Sequence, residues 1–498
     1  MGNIRQQPVL FNFDNTYSNL PKEFYRKVVP TRVPEPKLIK LNEELIDELG
    51  LDKNDLNSKT GVDVLSGNMV PHGAEPLSMA YAGHQFGSWV PVLGDGRAIL
   101  LGEIISPNGI RHDIQLKGSG PTPFSRGGDG KAVLGPILRE YILSESMHAL
   151  GIPTTRTLSA MLTGETIFRE LPMPGAILTR VSKSHVRIGT FEYFFAKNDI
   201  DSVRSLADYI INRHYSEALK SNNPYKQLLL LVTERQAELI AKWMLFGFIH
   251  GVMNTDNMQI AGETIDYGPC AFLDTYNPGK VYSSIDHGGR YSFGNQPGIA
   301  QWNLGCFAQT ILPLIHQSKD TAYQQAKEII DSFPSSYQEK LNLGILQKLG
   351  LTIEMHNDMK LVKDLLNIMA DGKADFTLTF RRLSEVKNTS SDSDGSIRSL
   401  FSIPHVFDEW MKRWRKRLIS ENINEQERKN KMKAVNPAFI PRNHLVEKAI
   451  KDALDKDFKF FEVLLEACTN PFRSQTQYKQ LMQPPLPDQE IHQTFCGT

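Results

Sequence analysis

Near residue 200 the chain changes its periodicity, and that change constrains the fold more than any single motif. From Tyr81 to about Arg187 the sequence is glycine-rich and carries short alternating or apolar runs: Ala98 to Ile104, Asp113 to Lys117, and Gly175 to Val181. Such runs, bounded by turn residues, predict strands. One helix, from about Pro136 to Leu150, interrupts them. From about Ser202 onward apolar residues recur at helical spacing. Strands collected in one part and helices in another predict an α+β fold, with a small β-rich lobe followed by a larger helical one. The expected boundaries are a wrapping N-terminal arm over 1–77, with one amphipathic helix at Leu41 to Leu49, a β-rich lobe over 78–195, a helical lobe over 196–473 and a Gln/Pro-rich extended tail over 474–498. Lys387 to Ser396 has no apolar residue and reads as a mobile surface loop.

Composition narrows the function classes. A chain of 498 residues, 40% hydrophobic, buries a core large enough for two or three lobes. Lysine plus arginine equals aspartate plus glutamate, 56 each, so no global field recruits nucleic acid or an anionic membrane. Any phosphate affinity is therefore local. Four cysteines, at 270, 306, 468 and 496, form no CxxC pair and are too scattered for a secreted disulfide framework. The longest apolar run, Trp243 to Ile249, is far short of a bilayer span, and a cytoplasmic location is expected.

The chemistry is concentrated in His250-Gly-Val-Met-Asn-Thr-Asp-Asn257, followed nine residues later by Asp266-Tyr-Gly268. A carboxylate and an amide oxygen on neighbouring short elements can take two places in the octahedral oxygen shell of magnesium. Protein kinases use such a pair, the catalytic-loop Asn and the Asp of an Asp-Phe-Gly turn. Asn257 and Asp266 are the candidate metal ligands. Met258 to Ile260 and Thr264-Ile265 read as two strands of a hairpin that brings them together. The alternative is an Asn that caps a turn and an Asp in an ordinary loop.

In the β-rich part, Ile114 and Leu116 alternate with Asp113, Gln115 and Lys117, so Lys117 points away from the core and into a cleft. Glu140, 23 residues later on the predicted helix, matches the carboxylate that holds the kinase phosphate-binding lysine. Otherwise Lys117 is an edge-strand solubiliser and Glu140 a solvated helix residue. Glycines surround this strand in Gly94-Asp-Gly-Arg97, Gly118-Ser-Gly120 and Gly127-Gly-Asp-Gly130. Without Cβ atoms, such loops let backbone N–H groups approach phosphate. Arg180 lies in an apolar strand, with Arg187 beyond it. A buried guanidinium needs an anion, either a protein carboxylate or a polyphosphate.

Several strings together resemble the selenoprotein O family of kinase-like protein adenylyltransferases: Tyr81-Ala-Gly-His-Gln-Phe-Gly87, Leu93 to Arg97, Gln115 to Arg126, Gly151 to Arg156, His250 to Met258, Asp266 to Pro269, Asn295 to Pro297 and Trp302 to Leu304. The similarity is dense over about 78 to 305 and sparser to Cys496. The resemblance implies a protein-kinase-like fold with ATP bound in reverse, so that the α-phosphate meets the acceptor. By the same resemblance AMP would pass from ATP to Ser, Thr or Tyr hydroxyls of proteins, with self-modification as a further outcome, and pyrophosphate would leave. It also implies that Lys117, Arg180, Arg187, Asp129, Gly130, Gly94, Gly96 and Arg97 contact the nucleotide. Glu140 would orient Lys117, Asn257 and Asp266 would hold Mg2+ or Mn2+, and Asp256 would accept the proton. A kinase loop places its base five residues before the metal Asn; here that position is Val252, which leaves Asp256 as the nearby carboxylate.

Three alternatives are weighed at this level: a conventional kinase on the same metal pair, a non-catalytic nucleotide-binding scaffold, against which the full set of Lys117, Asp256, Asn257 and Asp266 argues, and transfer of another nucleotide such as UMP, since nothing in the sequence reads the base. Some relatives of this kind carry selenocysteine near the C-terminus. Here Cys496 occupies the tail, and an accessible thiol there could meet Cys270, with Cys306 and Cys468 as competitors, or remain reduced.

Overall fold

The computed structural model describes residues 10–390 and 394–495. Twelve strands are found among them. They are β1 (Tyr25–Lys27), β2 (Lys37–Leu41), β3 (Leu77–Met79), β4 (Gly83–Gln85), β5 (Ser88–Val90), β6 (Ala98–Ile105), β7 (Arg111–Lys117), β8 (Ala132–Val133), β9 (Arg156–Phe168), β10 (Pro172–Ser182), β11 (Phe248–Ile249) and β12 (Ala271–Phe272). Eight form one antiparallel sheet in the order β1-β3-β6-β7-β10-β9-β2, with β8 also on β10. β4 and β5 make a separate hairpin, and β11 pairs with β12.

Lys117 is thus on a central strand, opposite Ala98 of β6 and Leu178 of β10. The register also sets Gln115 opposite Arg180, so the period-2 alternation puts Lys117, Gln115 and Arg180 on one face. On the other face Ile114, Leu116, Ile177 and Val181 pack with Leu45, Ile46, Leu56 and Val64. Those partners come from the short helices α1 (Glu43–Leu49), α2 (Lys53–Asn57) and α3 (Lys59–Leu65). α1 is closed by its sequence: Asn42 accepts from the Leu45 N–H at its start, and Gly50 ends it at φ +68°. α4 (Leu134–Ala149) lies on the Lys117 face, where Leu138, Tyr141 and Ile142 meet Leu178 and, from the far end of the chain, Val446, Phe461 and Leu464.

Beyond the sheet the chain is helical: α5 (Ile188–Phe195), α6 (Ile200–His214), α7 (Pro224–Phe246), α8 (Gln296–Ile315), α9 (Lys319–Lys348) and further helices to Lys459–Thr469. α7 begins with Asn223 capping the Lys226 N–H and Pro224 in its first turn, and stops at Gly247, φ +75°. That stop aims β11 at the His250 loop. Among the described residues no helix is long and apolar enough to cross a membrane.

Five expectations differ from what is found. Met258 to Ile260 and Thr264-Ile265 do not pair with each other: Gln259 bridges to Arg187 and Thr264 to Thr154. Each segment finds backbone partners in the chain leading into α5 and β9, and Gln259 to Gly262 close a turn between them. Helices begin at Ile188, earlier than periodicity indicated, because the aromatic run Phe191 to Phe195 has strand-like composition overridden by burial in the helical core. The N-terminal segment does more than wrap, since β1 and β2 are the two edge strands of the sheet. The tail is extended only in part, with a 3-10 turn at Thr476–Met482 before it reaches Thr494. Of the loop expected at Lys387 to Ser396, residues 391–393 lie outside the described residues, and Asp394 already begins a helical turn ending at Arg398.

Candidate active site

A cleft of about 690 Å³ lies between the Lys117 face of the sheet and the loops after β11. Lys117, Glu140, Arg180, Arg187, Asp256, Asn257, Asp266, Gly94, Gly96, Arg97, Asp129 and Gly130 all line it. The residues singled out in the sequence are therefore neighbours in space.

Their centre is a chain of charges. Lys117 and Arg180 both bind Glu140, Arg180 from Nε at 2.8 Å. Arg180 reaches on to Asp266 Oδ1 at 2.9 Å, and Arg187 donates to Asp266 Oδ2 at 2.6 Å. Lys117 Nζ is 3.9 Å from the same Asp266 carboxylate. In this structure the answer to the buried-guanidinium question is protein carboxylates. Burial pushes the Asp266 carboxyl up, but Arg187, Arg180 and Lys117 outweigh it and hold it well below the usual range. For Lys117, burial lowers the proton affinity and Glu140 opposes it. Asp266 has φ +63°, a strained conformation for a residue with a Cβ, stabilised here by its two arginines.

The loop before it is fastened from several sides. His250 meets the Ile265 carbonyl through Nε2 at 2.8 Å and takes its own N–H bond to Gln296. The Asn257 amide donates to the Val252 carbonyl at 3.0 Å, which leaves its oxygen, an acceptor, uncommitted to that bond in a residue that lines the cleft. Val252 itself is buried. The β4–β5 hairpin lies over the loop: the His84 N–H donates to Thr255 Oγ1, and the Phe86 N–H to Asn254 Oδ1. A Cβ at Gly83 would fall 2.5 Å from Asp256 Oδ1, so this contact requires glycine. Asp256 is 6% exposed; its Oδ2 receives only the Gln85 amide at 3.3 Å, and its Oδ1 is buried with no partner. Burial lifts its carboxyl to about 6, against the pull of Arg187.

The glycine loops have a packing role beside any ligand role. At Gly130, φ +65°, a Cβ would sit 2.1 Å from the Gly120 carbonyl, where the two loops cross. Asp129 is held by Arg169 at 2.9 Å. Sequence reasoning assigned no role to Arg169, Gln85, Tyr81 or Asp95. Tyr81 carries the Arg187 guanidinium over its ring at 4.7 Å, and Asp95 bonds Gln115 at 3.3 Å. The signal was present, because Gln85, Tyr81 and Asp95 all fall inside strings that carry the family resemblance. Cys496 lies outside the described residues. Cys270 is buried just beyond Pro269, whose carbonyl accepts from Thr494 Oγ1 at 2.6 Å. Burial pushes the Cys306 and Cys468 thiols up to about 12.

A cleft lined by buried cations, by the Asn257 and Asp266 side chains and by a carboxylate with an unpartnered oxygen fits a group-transfer enzyme acting on a polyphosphate. The family model described as protein adenylyltransferase SelO matches residues 8–469, and the chain belongs to that family of nucleotidyltransferases. It is 54% identical over 491 residues to the protein nucleotidyltransferase YdiU of Bradyrhizobium diazoefficiens, covering 98% of this chain and 100% of that one. Similar relatives include the proteins of the same name from Rhodopseudomonas palustris strain BisB18, 54% identical over 492 residues (98% and 100%), and Rhizobium etli, 53% identical over 489 residues (98% and 97%).

Proposed function

We propose that this enzyme transfers AMP from ATP to Ser, Thr or Tyr hydroxyls of proteins, releasing pyrophosphate, on a protein-kinase-like arrangement. In this reading 78–195 form the nucleotide lobe and 196–473 the lobe carrying the catalytic and metal loops, with 1–77 as arm and 474–498 as tail, in a cytoplasmic protein. The observation that carries it is the unpartnered Asp256 Oδ1 beside the Lys117, Arg180 and Arg187 cluster, with an apolar Val252 where a kinase keeps its base.

The three cations neutralise the triphosphate and the charge that grows on the leaving pyrophosphate. Glu140 and Asp266 hold the three in one cluster before the nucleotide arrives. Asp256 accepts the proton of the incoming hydroxyl as its oxygen bonds to the α-phosphorus and the bond to the pyrophosphate oxygen breaks. A carboxyl lifted to about 6 is a better base than an ordinary one at neutral pH. The Asn257 oxygen and the Asp266 carboxylate fit magnesium or manganese, whose small protein ligand set is completed by phosphates and water. When bound, that ion supplies Lewis-acid neutralisation of phosphate charge. Asp266 would then exchange part of its arginine contacts for the ion while the triphosphate takes up Arg180 and Arg187.

The test is incubation with ATP labelled separately at the α- and γ-phosphate. Label from the α-position alone should become protein-bound; γ-label transfer would mean a kinase. Parallel incubation with labelled UTP addresses the base, for which no reading residue has been assigned.

A further inference from the structure

The β4–β5 hairpin has two sides. Gln85 and Phe86 line the nucleotide cleft, whereas the His84 ring, 5.0 Å from Trp89 and 5.3 Å edge-on to Trp302, lies outside the lining of that cleft. Arg290 joins this aromatic row, its guanidinium 4.9 Å from the Trp302 centroid and 5.7 Å from that of Tyr291. The hairpin turn lies against the same guanidinium: Gly87 has φ +84°, and a Cβ there would meet Arg290 Cζ at 3.4 Å. The row is tied to the catalytic loop, since Tyr291 Oη and the Phe86 N–H both donate to Asn254 Oδ1.

Arg290 differs from the arginines of the cleft. Arg180 and Arg187 each bind Asp266, but Arg290 makes no ion pair among the described residues, and its Nε is buried without a partner. The nearest sequence candidate, Asp286, has spent both carboxylate oxygens on the Arg290 and Tyr291 N–H groups. Nor does Arg290 line the nucleotide cleft. A stacked, weakly hydrated guanidinium that has no carboxylate partner of its own among the described residues is suited to a carboxylate. Around it Trp89 and Trp302 are each 39% exposed, unusual for tryptophans unless something covers them.

Building on the proposed transfer to proteins, we propose that the face of Arg290, Trp302, His84 and Trp89 seats the acceptor polypeptide, selecting a segment with an acidic side chain near the target hydroxyl. The carboxylate meets Arg290, the backbone and apolar groups cover the two tryptophans, and the hydroxyl crosses the hairpin toward Asp256. Charge complementarity argues for an acidic segment, because a basic one would meet the Arg290 guanidinium, whereas the carboxylate behind this face, Glu192, is buried and held by His84 at 2.7 Å.

The test uses the full chain with a non-hydrolysable ATP analogue and fluorescein-labelled random copolymers, one of Glu and Tyr and one of Lys and Tyr, read by anisotropy. Wild type should bind the Glu/Tyr copolymer at least about tenfold more tightly. Arg290→Gln should lose most of that preference, and Arg290→Glu should invert it, which unfolding cannot mimic. Trp302→Ala should weaken both copolymers, while affinity for the ATP analogue stays the same in every variant. Equal binding of the two copolymers, no binding of either, or an unchanged preference in Arg290→Glu overturns the proposal. So does displacement of the Glu/Tyr copolymer by inorganic polyphosphate at equal charge concentration, which would mark a general anion site. Because the readout is binding, it can fail while α-label transfer succeeds, and the reverse.

Discussion

Replacing Asp256 with Asn should make the protein more stable and nearly inactive, with a pH signature that separates charge from packing. The carboxylate is buried, with one oxygen unpartnered and the other on a long 3.3 Å bond. Its carboxyl is lifted from 3.8 to about 6, and two units correspond to about 3 kcal/mol. The sign follows from proton binding. Between about pH 4 and 6 the unfolded chain has released this proton and the folded chain has not, so stability is lost as pH rises through that window and stays lost above it. Asp256→Asn removes the ionisation and should recover up to about 3 kcal/mol at pH 7.5, roughly half of that at pH 5, and little near pH 4. With an unfolding entropy of about 2.1 cal/mol/K per residue, a 498-residue chain gives roughly 1 °C per kcal/mol, or about 3 °C. Calorimetry without nucleotide or metal measures this at two pH values. α-Label transfer should fall by about 10²–10⁴ with ATP affinity little changed, the pattern of a group acting in the transition state. A variant that melts at or below wild type, or whose gain does not shrink at pH 5, would refute the argument.

Asp266→Ala should abolish transfer and remove the magnesium dependence of ATP binding in titration calorimetry; it should also destabilise the ligand-free protein by about 3 kcal/mol, since Arg180 and Arg187 lose their shared carboxylate. Persisting magnesium dependence would take Asp266 out of the metal shell. Lys348→Met should stabilise the helical part: Lys348 is buried over Phe380, Phe246 and Phe376, and burial lowers its ammonium to about 7. The unfolded chain keeps that proton to about pH 10, so wild-type stability rises between pH 7 and 10, and the gain in the variant is largest at pH 7 or below, about 5 kcal/mol by linkage less about 2 for the rings; equal gains at pH 7 and 9.5 would count against it. Oxidised wild type, but not Cys496→Ser, should yield a joined Cys496–Cys270 peptide in mapping without reduction and melt higher, because closing so long a loop contributes about 5 kcal/mol in the chain-entropy account; a free Cys496 peptide would remove the tail from regulation.

What the sequence made legible was local. The alternation around Lys117 carried its strand and its face, because period-2 patterning is a property of neighbouring residues, while Glu140 was named from its kinase-like spacing. The same logic failed at Met258 to Ile265, where two short β-like runs close in sequence chose partners at Arg187 and Thr154 instead of each other. Asn257 and Asp266 still line one cleft, but contacts outside the segment bring them there. Asp256 was nameable from its neighbours, whereas its shifted proton affinity was not, since the burial comes from Gly83 and Gln85 some 170 residues earlier. The dual pairing of Arg180 and the row ending at Arg290 likewise depend on elements far apart in the chain.

The two edge strands of the main sheet both come from the first forty-one residues. During synthesis β1 must wait for Met79 and its neighbours, and β2 for Ser159, more than a hundred residues later. At about 5–20 residues per second the second wait is on the order of ten seconds. The segment made first thus waits for partners made later, and until they emerge the nascent chain carries unpaired strands at its leading end. A chain lacking that segment would finish synthesis with β3 and β9 as open edges, a template for pairing with another chain.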